Sequence, residues 1–355
     1  MDYNPNDNID MPHGNEQPSQ KSIERIIIEK EVKPKRSFLG RIFSFLFACV
    51  SVLVSGVILL TIAGVIILVL VGTESVSQSV QSEVIIEGTK TQRIAVISVD
   101  GLIDDKQYDY FHSQMEAARK DTLIKGLIIR VNSPGGMVSS SDRIHDEILK
   151  YREDTDKPVI AFMQGLAASG GYYTSVACEK IIAEPTVITG SIGVIMEYFV
   201  VEGLLKEKLG VSPVVIKSGP HKDWPSPFTQ PSEEQLTYLQ EKVISPAYKR
   251  FVCVVDQGRS NLTIDDVLRL ADGSIYSADE ALEKNLIDAI GYLDDALKMI
   301  YELAGIDDAE VIEYNPVFSM TELLSAKTGL NFSFNRKTLN ELNTPELMYL
   351  WQMNQ

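Results

Sequence analysis

The sequence is poor in cysteine, histidine and positive charge. Its 355 residues include three cysteines and four histidines, and Cys49, Cys178 and Cys253 form no CxxC or other ligand spacing. A zinc site and a dense disulfide framework are therefore excluded, and we predict neither a metal nor a cofactor. The 33 Lys and Arg stand against 49 Asp and Glu, which gives a net charge of −16. Because nucleic-acid binding needs clustered positive charge, we expect no nucleic acid as a partner.

One segment near the N-terminus contains no charged residue. Residues 42–73 contain no Asp, Glu, Lys, Arg, His, Asn or Gln, whereas a membrane-spanning helix needs about 20 apolar residues. The segment is longer than the roughly 7–15-residue apolar core of a cleaved signal peptide, so we expect a retained signal anchor. The alternative is a buried core helix, but such helices seldom run this long without polar residues.

The residues that flank this anchor predict its orientation. Lys33, Lys35, Arg36 and Arg41 precede it without an intervening acid. The positive-inside rule then places residues 1–41 in the cytoplasm and everything after residue 73 outside. The first part of the cytoplasmic segment is rich in Asn, Asp, Gln and Pro, which predicts a largely disordered tail.

Beyond the anchor, residues 74–92 predict a polar stalk, and residues 93–306 predict a folded domain. In that domain, short β-rich runs alternate with helical patterns. The predicted strands are 93–99, 124–131, 158–163 and 214–217, and the predicted helices between them are 109–119, 141–151, 170–178 and 201–209. This alternation predicts βαβ units around a mostly parallel sheet.

After Pro231 the pattern becomes helical. Ser232 and Gln235 have the spacing of a capping box, which predicts a long helix to about residue 255. Two shorter helices are predicted to begin near Thr263 and Ser277. Residues 307–355 form a predicted C-terminal tail that ends in the apolar and aromatic run LMYLW. We expect Cys178 and Cys253, each in an apolar stretch, to be free and buried.

Four short motifs could carry chemistry, although each one alone has an ordinary structural explanation. NSPGG at 132–136 predicts a turn that exposes backbone N–H groups at a strand end. In AASGG at 167–171, Ser169 lies at a strand-to-helix junction, as a nucleophile or as a plain N-cap. Ser191 in TGSIGV could orient a base. The fourth motif, KSGPHKD at 217–223, contains a histidine and two lysines.

A nucleophilic serine needs a base, and the residues leave two candidates open. His221 is one, and Lys222, made neutral by burial, could do the same work. His145 falls within a predicted helix, where a solvated surface histidine is the usual case. Lys217 is a near neighbour of Lys222 in the same motif.

Together and in this order behind an N-terminal anchor, NSPGG, AASGGYY, TGSIGV and KSGPHKD closely resemble the signal peptide peptidase A family. These are membrane-anchored bacterial serine peptidases with a Ser-Lys dyad, and the resemblance covers about residues 93–304, with one copy of the motifs as in the short form. It implies an α/β fold of the Clp-protease/crotonase type with repeated ββα units. By position it implies the following roles: Ser169 as nucleophile, Lys222 as general base, Ser191 as the hydroxyl that orients the lysine, and Gly136 and Gly170 as oxyanion-hole donors.

The resemblance also implies a function and an assembly. It implies an endopeptidase in the bacterial cell membrane whose catalytic domain is extracytoplasmic and degrades remnant signal peptides. It further implies a ring-shaped homo-oligomer in which neighbouring protomers supply Ser169 and Lys222, with Asp223 pointing away from Lys222. The alternatives are a non-proteolytic scaffold that binds apolar segments and, less compatible with an extracytoplasmic domain, an acyl-CoA enzyme. The apolar end of the tail suggests that it binds a neighbour's groove as a product-like peptide.

Overall fold

The computed structural model describes residues 38–72, 80–316 and 346–351 and divides the chain into two units, 1–75 and 76–355. The first unit contains helix α1 (Phe38–Gly72). Its segment Ile42–Gly64 is long and apolar enough to cross a membrane, in agreement with the predicted span. The predicted disordered tail before residue 38 lies outside the described residues.

The second unit is built on a mixed sheet. Its central strands run parallel in the order β10-β2-β3-β4-β5-β9, and β1 pairs antiparallel with β10 at one edge. The strands are β1 (Val80–Ile86), β2 (Arg93–Ile103), β3 (Ile124–Met137), β4 (Val159–Ala168), β5 (Lys180–Ala183), β6 (Ile188–Gly190), β7 (Ile195–Glu197), β8 (Ile275–Ser277), β9 (Ala289–Ile290), β10 (Glu310–Pro316) and β11 (Glu346–Leu350).

Helices cover both faces of this sheet. They are α2 (Asp105–Lys120), α3 (Val138–Thr155), α4 (Gly170–Ser175), α5 (Glu233–Leu239), α6 (Ser245–Gly258), α7 (Ile264–Leu270), α8 (Ala278–Glu283) and α9 (Leu293–Ala304). Alternate residues of the strands enter two apolar clusters, so that Ile129 packs in the larger cluster and Ile128 in the cluster that includes α9. Burial on both faces explains why the central strands are continuous apolar runs.

The predicted α/β alternation is confirmed for the first three strands and for the helices between them. The prediction of a strand at 214–217 is wrong, since the structure has no regular element there. Val214 is 86% exposed and Ile216 is 96% exposed. A β-rich sequence forms a strand only where a neighbouring strand pairs with it. The predicted helix at 201–209 is reduced to a short stretch that includes a π-helical turn at Leu204–Lys208.

The capping signals after Pro231 are confirmed. The Gln235 backbone N–H donates to the Ser232 hydroxyl at 3.2 Å, and the Ser232 N–H donates back to the Gln235 side chain at 2.9 Å. Helix then continues through a π-helical segment, Gln240–Ile244, to Gly258. Thr263 and Ser277 likewise cap α7 and α8 with capping boxes.

Three assignments need correction, two of them at the ends of the domain. The predicted stalk contains β1, and the predicted tail contributes β10, which lies between β1 and β2. The partners of β1 are more than 200 residues away in sequence, and its five central residues are exposed, so its composition looked like that of a stalk.

Cys178 and Cys253 are both free, but only Cys178 is buried, because Cys253 lies on the exposed side of α6.

Candidate active site

Three of the four motifs meet at one edge of the sheet. Strands β3, β4 and β6 are parallel neighbours, with Ser133 opposite Ala167 and Ala168 opposite Gly190. The carboxyl ends of parallel strands lie at the same edge, where open α/β sheets place their ligands. The strand order therefore brings NSPGG, AASGG and TGS together.

Ser169 follows β4 directly and is the N-cap of α4. Its φ of 53° and ψ of −114° are unusual for a residue with a side chain. The contacts on both sides hold this conformation: its N–H donates to the Gly190 carbonyl at 2.8 Å, and its carbonyl accepts from the Tyr173 N–H at 2.8 Å. Ser169 is 1% exposed, so its hydroxyl lies in an enclosed position at the start of a helix.

Ser191 occupies the matching position on the neighbouring strand. It follows Gly190 as Ser169 follows Ala168, and paired strands lie about 4.8 Å apart. Ser191 also has a positive φ, 51°, and its N–H donates to the Ser274 carbonyl at 2.7 Å. The two serines thus each follow one residue of the last pair between β4 and β6.

The glycines of the first two motifs pack against each other. A Cβ on Gly170 would lie 3.2 Å from the Gly136 nitrogen and 3.0 Å from the Gly135 Cα. The two backbone N–H groups assigned to the oxyanion hole are therefore close neighbours. The prediction of a turn at NSPGG is wrong, because residues 132–136 lie within β3.

Ser133 is a residue whose role the sequence reasoning missed. It is buried, accepts a hydrogen bond from the Gly135 N–H at 3.0 Å and donates to the Gly101 carbonyl at 2.6 Å. It thereby fixes the irregular strand segment that carries Gly135 and Gly136. The signal that could have revealed this role is its place two residues before a glycine, the spacing of a local side-chain to backbone hydrogen bond.

The C-terminal strand β11 lies across this edge as an extended peptide would. It pairs antiparallel with β3, with Tyr349 opposite Gly136, and on its other side with β7. The Trp351 N–H donates to the Pro134 carbonyl at 2.9 Å. Because hydrogen-bonded pairs alternate along an antiparallel ladder, Tyr349 is hydrogen-bonded to Gly136.

The carbonyl oxygen of Tyr349 lies close to the two glycine donors. If Gly135 carried a Cβ, that atom would lie 2.0 Å from the Tyr349 oxygen and 2.6 Å from the Gly170 nitrogen. Both atoms therefore lie against Gly135. An extended peptide at this place therefore brings one carbonyl oxygen close to Gly136 and to Gly170, the residue after Ser169. The groove that β11 occupies belongs to its own chain. Just past the end of β11, a cavity of about 460 Å³ is lined in part by Ser191 and Trp351.

Among the described residues, the fourth motif makes no hydrogen bond to these groups. Lys222 is exposed, and within the part of the chain that the structure describes it is not hydrogen-bonded to Ser169. Lys217 donates to Asp223 Oδ1 at 2.6 Å, and this hydrogen bond lowers the pKa of Asp223. Asp223 thus pairs with Lys217, and among the described residues no ion pair joins it to Lys222. The His221 ring packs on Trp224, with ring centroids 4.3 Å apart.

His145 differs from expectation, since it is buried and not on the surface. Its ring lies edge-on to Tyr173 with centroids 5.2 Å apart. Burial in this apolar setting lowers its pKa to about 4, against the opposing influence of Asp142. His145 is therefore neutral and belongs to the packing around Tyr173.

The chain is similar in sequence to known peptidases. The profile of peptidase family S49 matches residues 151–307, and that of the Clp proteases matches residues 78–186. A protein of Enterococcus faecium named as a signal peptide peptidase, SppA, is 41% identical over 249 residues, which are 67% of this chain and 71% of that protein. The chain belongs to peptidase family S49. It is thus a serine peptidase with a Clp-protease-like α/β fold, which confirms the resemblance seen in the motifs.

Two further relatives of this S49 peptidase differ in length. A protein of Methanocaldococcus jannaschii named as a protease is 38% identical over 61% of this chain and 68% of that protein. Protease 4 of Salmonella typhi is 34% identical over 59% of this chain but only 34% of its own length. The S49 peptidase described here therefore spans about a third of Protease 4 and most of the two shorter relatives.

Proposed function

We propose that this S49 peptidase is a membrane-anchored endopeptidase with a Ser-Lys dyad. The observation that carries the proposal is the position of β11, an extended segment whose Tyr349 carbonyl oxygen lies close to Gly136 and to Gly170, the residue after Ser169. A substrate peptide on the same ladder would present its scissile carbonyl to the same groups.

Each group then has a defined chemical task. Ser169 attacks the carbonyl carbon while the neutral Lys222 amine takes the hydroxyl proton and later returns it to the leaving amine. The Ser191 hydroxyl orients that amine. The Gly136 and Gly170 N–H groups stabilise the negative charge that develops on the carbonyl oxygen, and one such donor is typically worth about 2.7–4 kcal/mol.

We propose that Lys222 acts on the Ser169 of a neighbouring protomer in a ring-shaped homo-oligomer. A lysine base must be shielded from water to be neutral, whereas Lys222 is exposed in the single chain. The same segment exposes apolar side chains, with Ile216 96% and Val214 86% exposed. Exposed apolar patches mark interaction sites, and a second copy that covers this one would bury Lys222 as well.

The anchor and the relatives support a location and a substrate class. Ile42–Gly64 would hold the enzyme in a bacterial membrane, with the basic residues before it in the cytoplasm and the peptidase unit outside. Remnant signal peptides are apolar segments released at that membrane. A relative is named as a signal peptide peptidase, and such peptides are the substrates that we propose.

The dyad is tested with the full-length protein in detergent, a fluorophosphonate probe and a quenched apolar peptide. We expect Ser169→Ala and Lys222→Met to lower peptide cleavage at least about 10³-fold, because the two residues act as a unit. Lys217→Met and His221→Phe are the matched controls and should stay within about threefold of wild type. Cleavage that survives in Ser169→Ala or Lys222→Met contradicts the dyad. Loss in His221→Phe with Lys222→Met still active would assign the base to His221.

A mixing experiment tests the shared site. Ser169→Ala and Lys222→Met chains, inactive alone, are co-expressed and purified as mixed rings. We expect activity to return, because some interfaces then combine an intact Ser169 with an intact Lys222. Mixed rings of full mass without activity would contradict a site built across protomers. Wild-type rings that bind the peptide without cleaving it would instead support a scaffold.

A further inference from the structure

Three aromatic side chains pack together, two of them from residues close to Lys222 in sequence. The His221 ring lies 4.3 Å from the Trp224 ring and 4.9 Å from the Tyr238 ring, measured between centroids. The Trp224 and Tyr238 rings meet edge to face at 5.6 Å, with planes 78° apart. Each ring therefore contacts the other two. We call His221, Trp224 and Tyr238 the aromatic cluster.

The aromatic cluster fastens an irregular segment to a helix. His221 and Trp224 belong to a stretch without helix or strand, and residues 211–218 before it are exposed. Tyr238 lies on α5, which continues through the π-helical segment into α6, and the Phe251 side chain of α6 is fully buried. The helix is therefore held by the core, and the three rings connect the irregular segment to it.

The two cluster residues of this segment stand on either side of Lys222, one position before it and two positions after it. Both contact the same Tyr238 ring. The turn also has backbone hydrogen bonds, because the Lys222 N–H donates to the Gly219 carbonyl at 3.2 Å and the Trp224 N–H donates to the His221 carbonyl at 3.3 Å. The backbone of Lys222 is therefore held from both sides, although the residue itself is exposed.

We propose that the aromatic cluster positions Lys222 for its task as general base. A base increases the rate only when it is held in the geometry of proton transfer. Ordering a free segment during assembly would cost binding free energy, whereas a turn that is already held delivers its amine to the Ser169 of a neighbouring protomer without that cost. This inference rests on the proposed function, because it states what holds the base assigned there. The three rings act through Lys222 and are positioning residues.

Tyr238→Leu tests the proposal, because leucine keeps an apolar side chain but removes the ring. In the full-length protein in detergent, we expect kcat on a quenched apolar peptide to fall about tenfold with KM within about twofold, since a misplaced catalytic group slows the chemical step. Tyr238→Phe keeps the ring packing and should stay within about twofold of wild type. Tyr292→Leu, which replaces an exposed tyrosine outside the cluster, is the matched control and should do the same.

The pH dependence separates positioning from a general loss of structure. A loosened turn lets water reach the Lys222 amine, and the pH at which kcat is half-maximal should then rise by about one unit in Tyr238→Leu, because water favours the charged form of an amine. The other charged groups of the motif, Lys217 and Asp223, pair with each other at 2.6 Å and are unchanged in every variant. A smaller folded or assembled fraction scales the profile without moving its midpoint. A wild-type kcat and midpoint in Tyr238→Leu, or equal losses in Tyr238→Leu and Tyr238→Phe, would overturn the proposal.

Lys222→Met is measured in the same assay, so that two kinds of failure can be told apart. If Lys222→Met is inactive while Tyr238→Leu behaves as wild type, this inference alone fails. If Lys222→Met still cleaves the peptide, Lys222 is not the base, and the proposed function fails together with the inference.

The fluorescence of Trp224 tests the aromatic cluster without any cleavage. Trp351→Phe leaves Trp224 as the only tryptophan. Adding Tyr238→Leu should raise acrylamide quenching at least about twofold, because the indole loses a packing partner and becomes more accessible, whereas adding Tyr292→Leu should not. Equal quenching in the two double variants would show that Tyr238 does not hold the turn and would overturn the inference.

Discussion

Gly170→Ala tests whether close packing of the two proposed oxyanion donors determines the rate of the reaction. A Cβ at position 170 would lie 2.6 Å from the Ser141 hydroxyl, 3.0 Å from the Gly135 Cα and 3.2 Å from the Gly136 nitrogen. The Ser141 side chain can leave by changing its rotamer. The Gly135 and Gly136 contacts are with backbone atoms, so the backbone itself must shift by a few tenths of an ångström.

The size of the expected effect follows from what this shift moves. It separates two N–H groups that must both point at one oxygen, and the loss of one donor costs about 2.7–4 kcal/mol of barrier. We expect kcat on an extended peptide to fall about 100-fold, with little change in KM, because the donors act on the transition state. The overpacked site should also lower the free energy of unfolding by about 1–3 kcal/mol.

Gly193→Ala is the matched control. It introduces the same methyl group in a neighbouring motif, where the nearest atom, the Gly273 Cα, is 3.5 Å away. We expect its kcat to stay within about twofold of wild type. Peptide hydrolysis and thermal unfolding are measured on both variants at a temperature where both are folded. A Gly170→Ala enzyme with the kcat of the Gly193→Ala enzyme would refute the reasoning.

Three further predictions concern other parts of the molecule. Burial lowers the pKa of His145 to about 4, while an unfolded histidine titrates near 6.5. The unfolded state therefore binds more protons between these values, and the free energy of unfolding should fall by roughly 3 kcal/mol more in wild type than in His145→Gln as pH drops from 6.5 to 4; parallel urea-denaturation curves would contradict this. Burial raises the pKa of the Cys178 thiol to about 12, so a maleimide at pH 7.5 should label Cys253 and leave Cys178 unlabelled in the native protein by peptide mapping. Ile216→Asp should lower the oligomer mass in light scattering, and an unchanged mass would remove this residue from the proposed interface.

The parts of the fold that sequence could predict are those whose signals are local. The strand at 124–131 contains the apolar run 127–129, which is buried on both faces of the sheet. Ser232 and Ser277 indicate helix starts through capping contacts with residues three positions later. Strands β1 and β10 gave no such signal. They pair with each other across more than 220 residues, and the edge strand β1 has exposed polar residues. The same dependence on a partner explains why 214–217 was wrongly predicted as a strand.

The residues of the candidate site also differ in how far their positions follow from local sequence signals. Ser169, Ser191, Gly136 and Gly170 each follow or end a strand of one parallel sheet, so strand order alone brings them to one edge. Lys222 belongs to an exposed segment, and its proposed place beside Ser169 depends on a second chain. His145 could have been predicted as buried, because it lies three residues before Ile148 on the apolar face of α3.

The two walls of the peptide groove differ in how they are supported. The β3 wall is part of the central sheet and is fixed by Ser133. The opposite wall, β7, is three residues long and, among the described strands, pairs with β11 alone. A peptide that took the place of β11 would pair with the central sheet through β3 and would supply the strand with which β7 pairs. Backbone pairing of this kind does not depend on the identity of the peptide side chains. The resident strand is also held by side-chain contacts, since the Tyr349 ring stacks on Tyr173 and its hydroxyl donates to the Ala247 carbonyl, so its place in the groove depends on its sequence as well as on backbone pairing.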